Sequence, residues 1–219
     1  MIDPSTDAAV NGAGPEVGTV PSGLVRDAIV AALQRFSYRV LGGDGLRRAT
    51  VVIVVHRHGD EFGIWVIERA PGLRRDPGQY ALPGGRSEPG EDVIATGLRE
   101  LAEETGIVLQ RQDVLGRLDD YVTRSGYLMS TIVCWADGHP TVQPNPDEVA
   151  NAYFVPLADL LVTPRFPQDP ETAMRLIEFP LLGIVIHAAT GAVLYQFAEV
   201  VLRGRATRVA AIVEPRIEP

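Results

Sequence analysis

The chain has 219 residues, enough for one domain with a full core, and its 46% apolar and 22% charged content is that of a soluble globular protein. Its net charge of −8 gives no general electrostatic footing on nucleic acid or a membrane surface, so an anionic substrate must be met by a local basic patch and by metal. All 20 basic side chains are arginine, which excludes lysine chemistry, and the single cysteine excludes an internal disulfide or a cysteine-based zinc cluster.

Residues 1–22 lack the basic and apolar stretches of a signal peptide and read as a flexible tail, so the expected location is cytoplasmic. The remainder, 23–219, reads as one domain. Apolar spacing at Leu24, Ile29, Val30, Leu33 and Phe36 predicts a helix over 23–36. A β-branched run from Thr50 to His56 and a second strand from Phe62 to Glu68 flank a turn at Gly59-Asp60. Gln79 to Leu82 leads into a Gly- and Pro-rich loop, and Asp92 to Thr105 predicts a second helix. Val114–Thr123 and Tyr127–Ala136 predict a hairpin across Arg124-Ser125-Gly126, with Cys134 a buried strand residue. Then come a strand over 148–155, a short helix or turn over 156–161, a Pro-rich loop over 163–170 and a closing helix from Thr190 to Arg203. The apolar stretch Phe179–Leu202 contains His187, Gln196 and Glu199, so it reads as a buried strand or turn followed by a helix rather than a membrane span. Strands mixed with one long polar-faced helix indicate an α/β or α+β sandwich.

The second helix carries the chemistry. A helix turns ~100° per residue, so Glu100, Glu103 and Glu104 share an arc of about 100° while Val93, Ile94, Gly97, Leu98 and Leu101 form a neighbouring buried stripe. Three carboxylates on one arc repel one another, and a hard divalent cation removes that penalty. Glu91 and Asp92 suit the helix N-terminus, and Gly106 suits a left-handed cap followed by the apolar Ile107. The preceding loop, Gly85 to Gly90, lets backbone groups approach a metal or phosphate closely.

The stretch 85–107 fits Gly-x5-Glu-x7-Arg-Glu-apolar-x-Glu-Glu-x-Gly-apolar at Gly85, Glu91, Arg99, Glu100, Leu101, Glu103, Glu104, Gly106 and Ile107. It resembles the box that defines the Nudix hydrolases, and the resemblance covers residues 48–204. It implies a mixed sheet packed between helices, an α/β/α sandwich with a catalytic loop-helix. It further implies Mg²⁺- or Mn²⁺-dependent hydrolysis of a nucleoside diphosphate linked to another moiety, by metal-activated water attacking phosphorus. On this resemblance Glu100, Glu103 and Glu104 are metal ligands, a carbonyl of Gly84 or Gly85 adds an oxygen, and Glu103 takes the water proton as an alternative to binding metal. Glu91 and Arg99 pair to hold the loop on the helix. A further acid from a downstream loop is expected at Glu148, with Asp147 the alternative.

Upstream, Arg69, Ala70, Arg74, Gly78, Pro83, Gly84 and Gly85 resemble the extra signature of coenzyme A pyrophosphatases, with Leu82 in place of the usual Phe. Coenzyme A carries a diphosphate and a 3′-phosphate, and guanidinium forks bind phosphate bidentately. Arg69, Arg74, Arg75 and Arg86 are therefore the expected substrate-binding residues. His187 reads as a hydrogen-bonded structural histidine. His56, His58 and His139 carry no ligand signature. Alternative substrates within the same chemistry are ADP-ribose, a dinucleoside polyphosphate or an oxidised nucleotide. A non-catalytic ligand sensor would be expected to lose glutamates of the box, and none is lost. The expected partner is a small-molecule nucleotide, with neither nucleic acid nor membrane, and relatives of this kind are frequently homodimers.

Overall fold

The computed structural model describes residues 22–43 and 45–215, so the expected tail lies, but for its last residue, outside the described residues. In chain order the elements are α1 (Ser22–Arg35), β1 (Arg47–His58), β2 (Glu61–Arg69), β3 (Tyr80–Ala81), β4 (Gly84–Arg86), α2 (Val93–Thr105), β5 (Val114–Arg117), β6 (Tyr121–Val122), β7 (Tyr127–Ala136), β8 (Val149–Pro156), β9 (Phe179–Leu181), β10 (Ile184–Ile186) and α3 (Thr190–Phe197).

β1 is the centre of a mixed sheet. It runs antiparallel to β2 and β4 and parallel to β7, with Arg47 opposite Tyr127 and His56 opposite Ala136. β2 also carries β3 and β8, and β7 carries β5 and β6. Alternation along β1 builds a core on each face. Val52 and Val54 pack with Leu101, Ile107, Ile132 and Cys134 beneath α2. Ile53 and Val55 pack with Ile29 and Leu33 of α1, Phe36 just after it, Phe179 of the β9–β10 hairpin, and Leu194 and Phe197 of α3. This is the expected α/β/α sandwich. Burial pushes the Cys134 thiol up to about 12, so it stays protonated inside β7.

α2 begins and ends where its sequence says it should. The Asp92 side chain accepts from the Ala95 amide at 2.8 Å, a cap worth ~1 kcal/mol, and Gly106 closes the helix at φ 73°. Two elements differ from expectation. The strand read as 114–123 is two strands, β5 and β6, broken where Asp119 and Asp120 turn inward. Asp119 accepts from the Arg39 amide at 2.7 Å and from Arg208, and Asp120 accepts from the Leu41 amide at 3.1 Å, so two buried carboxylates replace the ladder there. The closing helix is α-helical only to Phe197 and continues as a π-helical turn, Ala198–Leu202, where buried Glu199 pairs with Arg203 at 2.9 Å. Phe179–Leu202 is thus a hairpin and a helix, and among the described residues no helix is long and apolar enough to cross a membrane.

Candidate active site

The site is assembled where β4 runs beside β1 and leads into α2. Gly84 sits at φ 151° with its α-carbon so close to β1 that a Cβ would meet the carbonyl of Thr50, which reserves the position for glycine. Its amide donates to Glu104 Oε2 at 2.8 Å. Gly85 lies directly against the Glu100 carboxylate, and a Cβ there would collide with both of its oxygens.

The third carboxylate arrives on the loop before β8. That loop is fastened to the end of α2 by backbone bonds from Gln143 to Thr105 (2.8 Å) and from Asn145 to the Glu104 carbonyl (3.0 Å). The Glu148 carbonyl then accepts from the Ala70 amide at 2.9 Å, just beyond β2. Carboxylate oxygens of Glu100, Glu104 and Glu148 come within 4.8 Å of one another. Asp147, the alternative to Glu148, is an exposed turn residue outside this trio. Glu103 is also outside it: its exposed carboxylate pairs with Arg99 at 2.9 Å.

Three acids this close, one of them only 2% exposed, are electrostatically unfavourable without a cation. Burial, with the neighbouring Glu100 and Glu148 charges adding to it, pushes Glu104 up to about 8, against the lowering effect of the Gly84 amide and Arg69. Burial likewise raises Glu100. The donor set is all oxygen and suits a hard divalent ion such as Mg²⁺ or Mn²⁺. The residues therefore fit the metal the sequence implies.

Arg99 ties the loop to the helix. Its Nε and Nη2 grip both Glu91 oxygens (2.7 and 3.0 Å), Nη2 also reaches the Arg86 carbonyl (2.9 Å), and Nη1 reaches Glu100 (3.0 Å). The guanidinium holds the Glu91 carboxyl down at about 2.

Beside the trio, and sharing Gly84 and Gly85 with it, opens a cleft of about 950 Å³. Arg69, Arg74, Arg75 and Arg86 all line it, as does Arg47, which the sequence reading missed. Among the described residues none of these five stands in an ion pair with a carboxylate. Arg69 follows a bulge in the β2–β8 ladder, and its buried Nε has no hydrogen-bond partner. Asp76 and Glu214 are the acids on the wall. His187 is at the rim with its Nδ1 beside the Ile177 carbonyl at 3.1 Å, the structural bond expected of it. His56 is fully buried, stacks on Trp65, and is held below the usual histidine range chiefly by burial. Leu82 is 3% exposed, packs in the core on the α1 and α3 side, and also lines the cleft.

The chain is similar to known proteins in sequence and in fold. The NUDIX domain family model matches residues 45–176. The chain is 34% identical over 109 residues to the peroxisomal coenzyme A diphosphatase NUDT7 of Mus musculus, covering 49% of this chain and 46% of that protein. It is 40% identical over 94 residues to an uncharacterized Nudix hydrolase, NudL, of Photorhabdus laumondii, covering 42% of this chain and 50% of that one. The chain thus spans about half the length of these curated relatives. Among solved structures, a MutT/nudix family protein from Enterococcus faecalis superposes with a TM-score of 0.51 at 13% identity, over 77% of this chain and 68% of that one, a likeness of fold.

Proposed function

Because the chain belongs to the NUDIX domain family, we propose that it hydrolyses the diphosphate bond of a nucleoside diphosphate derivative, and that its substrate is coenzyme A or a coenzyme A derivative. The observation that carries this reading is the trio of Glu100, Glu104 and Glu148 beside an arginine-lined cleft, the two joined by Gly84, which bonds Glu104, and Gly85, which lies against Glu100. A bound Mg²⁺ or Mn²⁺ would neutralise these acids and supply a water of lowered pKa together with charge stabilisation at the phosphoryl oxygens.

The chain's own residues do the rest. Glu100, Glu104 and Glu148 hold the ion, and the Gly85 backbone adds an oxygen. Glu103, on the same arc of α2 and exposed, is kept as a ligand or as the acceptor of the water proton. Arg69, Arg74, Arg75 and Arg86 receive the phosphates, where unpaired guanidinium forks bind bidentately. Glu91 and Arg99 hold the loop in register with the helix. The named coenzyme A diphosphatase relative and the Arg69–Gly85 signature support coenzyme A over other diphosphates. The products would be 4′-phosphopantetheine and adenosine 3′,5′-bisphosphate.

A panel of coenzyme A, ADP-ribose, a dinucleoside polyphosphate and an oxidised nucleotide, each with Mg²⁺ and with Mn²⁺, tests the substrate. Products identified by mass should show coenzyme A turned over with the highest kcat/KM. Turnover of ADP-ribose with coenzyme A untouched overturns the substrate assignment.

A further inference from the structure

Tyr127 opens β7, is 8% exposed, and faces Arg47 across the parallel ladder. Three arginines from three separate segments converge on it. The Arg47 guanidinium lies 4.0 Å from the ring centroid and that of Arg86 lies 5.4 Å from it. Arg75 donates through Nη1 to the Tyr127 hydroxyl at 3.0 Å. All four residues line the cleft, and among the described residues no carboxylate pairs with any of the three arginines.

Holding three like charges around one ring costs electrostatic energy, which the ring face, the Tyr127 hydroxyl and the Ser125 carbonyl offset in part. Each guanidinium carries five N–H donors, and most of these have no partner here: Arg75 uses one on Tyr127, Arg47 one on the Ser125 carbonyl, and Arg86 none. Such a cluster is matched by a compact anion of charge −2 with three acceptor oxygens, a phosphomonoester, better than by a carboxylate.

The cluster is also set apart from the acidic trio. Gly85, which touches Glu100, pairs with Thr50 on β1, whereas the ring sits level with Arg47. Three residues of strand separate the two levels by about 10 Å. A ligand that reaches both places carries two phosphate groups, one at the metal-binding acids and one beyond.

We propose that Arg47, Arg75 and Arg86, positioned by Tyr127, form a second anion subsite that binds a phosphomonoester on the nucleotide side of the substrate, remote from the bond that is cleaved. This rests on the diphosphatase reading for the identity of the substrate, and it assigns to Arg47 and Tyr127 a role in specificity. Tyr127 acts through the arginines as a positioning residue.

Two measurements on the full chain separate the subsite from that reading. Calorimetry compares adenosine 3′,5′-bisphosphate with adenosine 5′-monophosphate, a pair that differs by the one phosphomonoester. Kinetics compares coenzyme A with dephospho-coenzyme A in the same way. The wild type should favour the doubly phosphorylated member of each pair by roughly 10-fold or more, the scale of charge-assisted hydrogen bonds. Arg47→Ala, an exposed position that leaves the core intact, should bring both ratios toward one. Tyr127→Phe keeps the ring and removes the Arg75 acceptor, and should lower the ratios part of the way. Equal affinity for the two adenosine ligands in the wild type overturns the subsite, as does a preference that survives Arg47→Ala unchanged. Equal hydrolysis of the two coenzymes overturns the subsite and leaves the diphosphatase reading standing. No hydrolysis of either, with the bisphosphate preference present, overturns the diphosphatase reading and leaves the subsite.

Discussion

Gly85 faces the carboxylate of Glu100 so closely that no Cβ would fit between loop and helix. The contact converts a backbone choice in the loop into the placement of a charged group on α2. Gly85→Ala should therefore displace Glu100 by a fraction of an ångström to an ångström without disturbing the core. The backbone of Gly85 has no left-handed φ, so the substitution acts through this contact and not through strain. Hydrolysis should fall roughly 10²-fold, the usual cost of misplacing a reacting group by about 1 Å. The thermal midpoint should move little, as read by calorimetry on the same sample.

Burial raises Glu104 from an ordinary 4.5 to about 8. The unfolded chain gives up this proton near 4.5, whereas the folded one keeps it until about pH 8. The folded state therefore binds the extra proton between those values, and stability contributed by Glu104 is full below 4.5 and is lost as pH rises through 8. In EDTA, the thermal midpoint should fall across this window. With saturating Mg²⁺ the ion takes the proton's place and the slope should flatten or reverse. A midpoint that rises from pH 5 to 8 in EDTA would contradict the buried, uncompensated carboxyl. Titrations of Mg²⁺ should show its affinity climbing over the same range.

Glu91 has the opposite sign. The Arg99 guanidinium, with the Glu88 amide, lowers its carboxyl from 4.5 to about 2. The stability from this pair is present above 4.5 and is lost as pH falls toward 2. Arg99→Ala should remove that acid-side dependence and destabilise the fold by about 1.5–3 kcal/mol, the range for charge-assisted hydrogen bonds at a partly buried pair. Urea unfolding at pH 7 and pH 3 measures both effects. The variant should also lose activity, because Arg99 braces the Arg86 carbonyl and Glu100 together.

Glu148 and Asp147 are adjacent, yet only Glu148 stands with Glu100 and Glu104. Glu148→Gln should reduce hydrolysis roughly 10-fold to 10²-fold and weaken Mg²⁺ binding, on the scale seen when groups supporting a metal are removed. Asp147→Asn should change neither by more than about twofold, as expected of an exposed turn position. Steady-state kinetics over a Mg²⁺ titration compares the two.

The local signals were legible and the long-range ones were not. The ends of α2 follow from Asp92 and Gly106, whose capping chemistry is written in single residues. Its acidic arc follows from spacing alone. The alternating faces of β1 could be read as a β-branched run, though not its parallel pairing with β7. That pairing brings Arg47 beside Tyr127, and no local pattern announces a contact made between strands so distant in sequence. The break between β5 and β6 escaped for the same reason, since Asp119 and Asp120 are satisfied by Arg39, Leu41 and Arg208 from remote segments. Glu103 and Glu148 show the limit most clearly. Helical spacing makes Glu103 equivalent to its neighbours, but Arg99 holds it in an exposed pair, while backbone bonds to the end of α2 deliver Glu148 into the trio.

Hydrolysis of coenzyme A with Mg²⁺ by the wild type and by Glu104→Gln, with products weighed by mass spectrometry, tests most directly whether the acidic trio holds a catalytic metal. The wild type should yield 4′-phosphopantetheine and adenosine 3′,5′-bisphosphate, with no turnover in EDTA and a loss of roughly 10²-fold or more in the folded variant. Equal turnover by wild type and Glu104→Gln, or turnover undiminished in EDTA, would contradict that role of the trio.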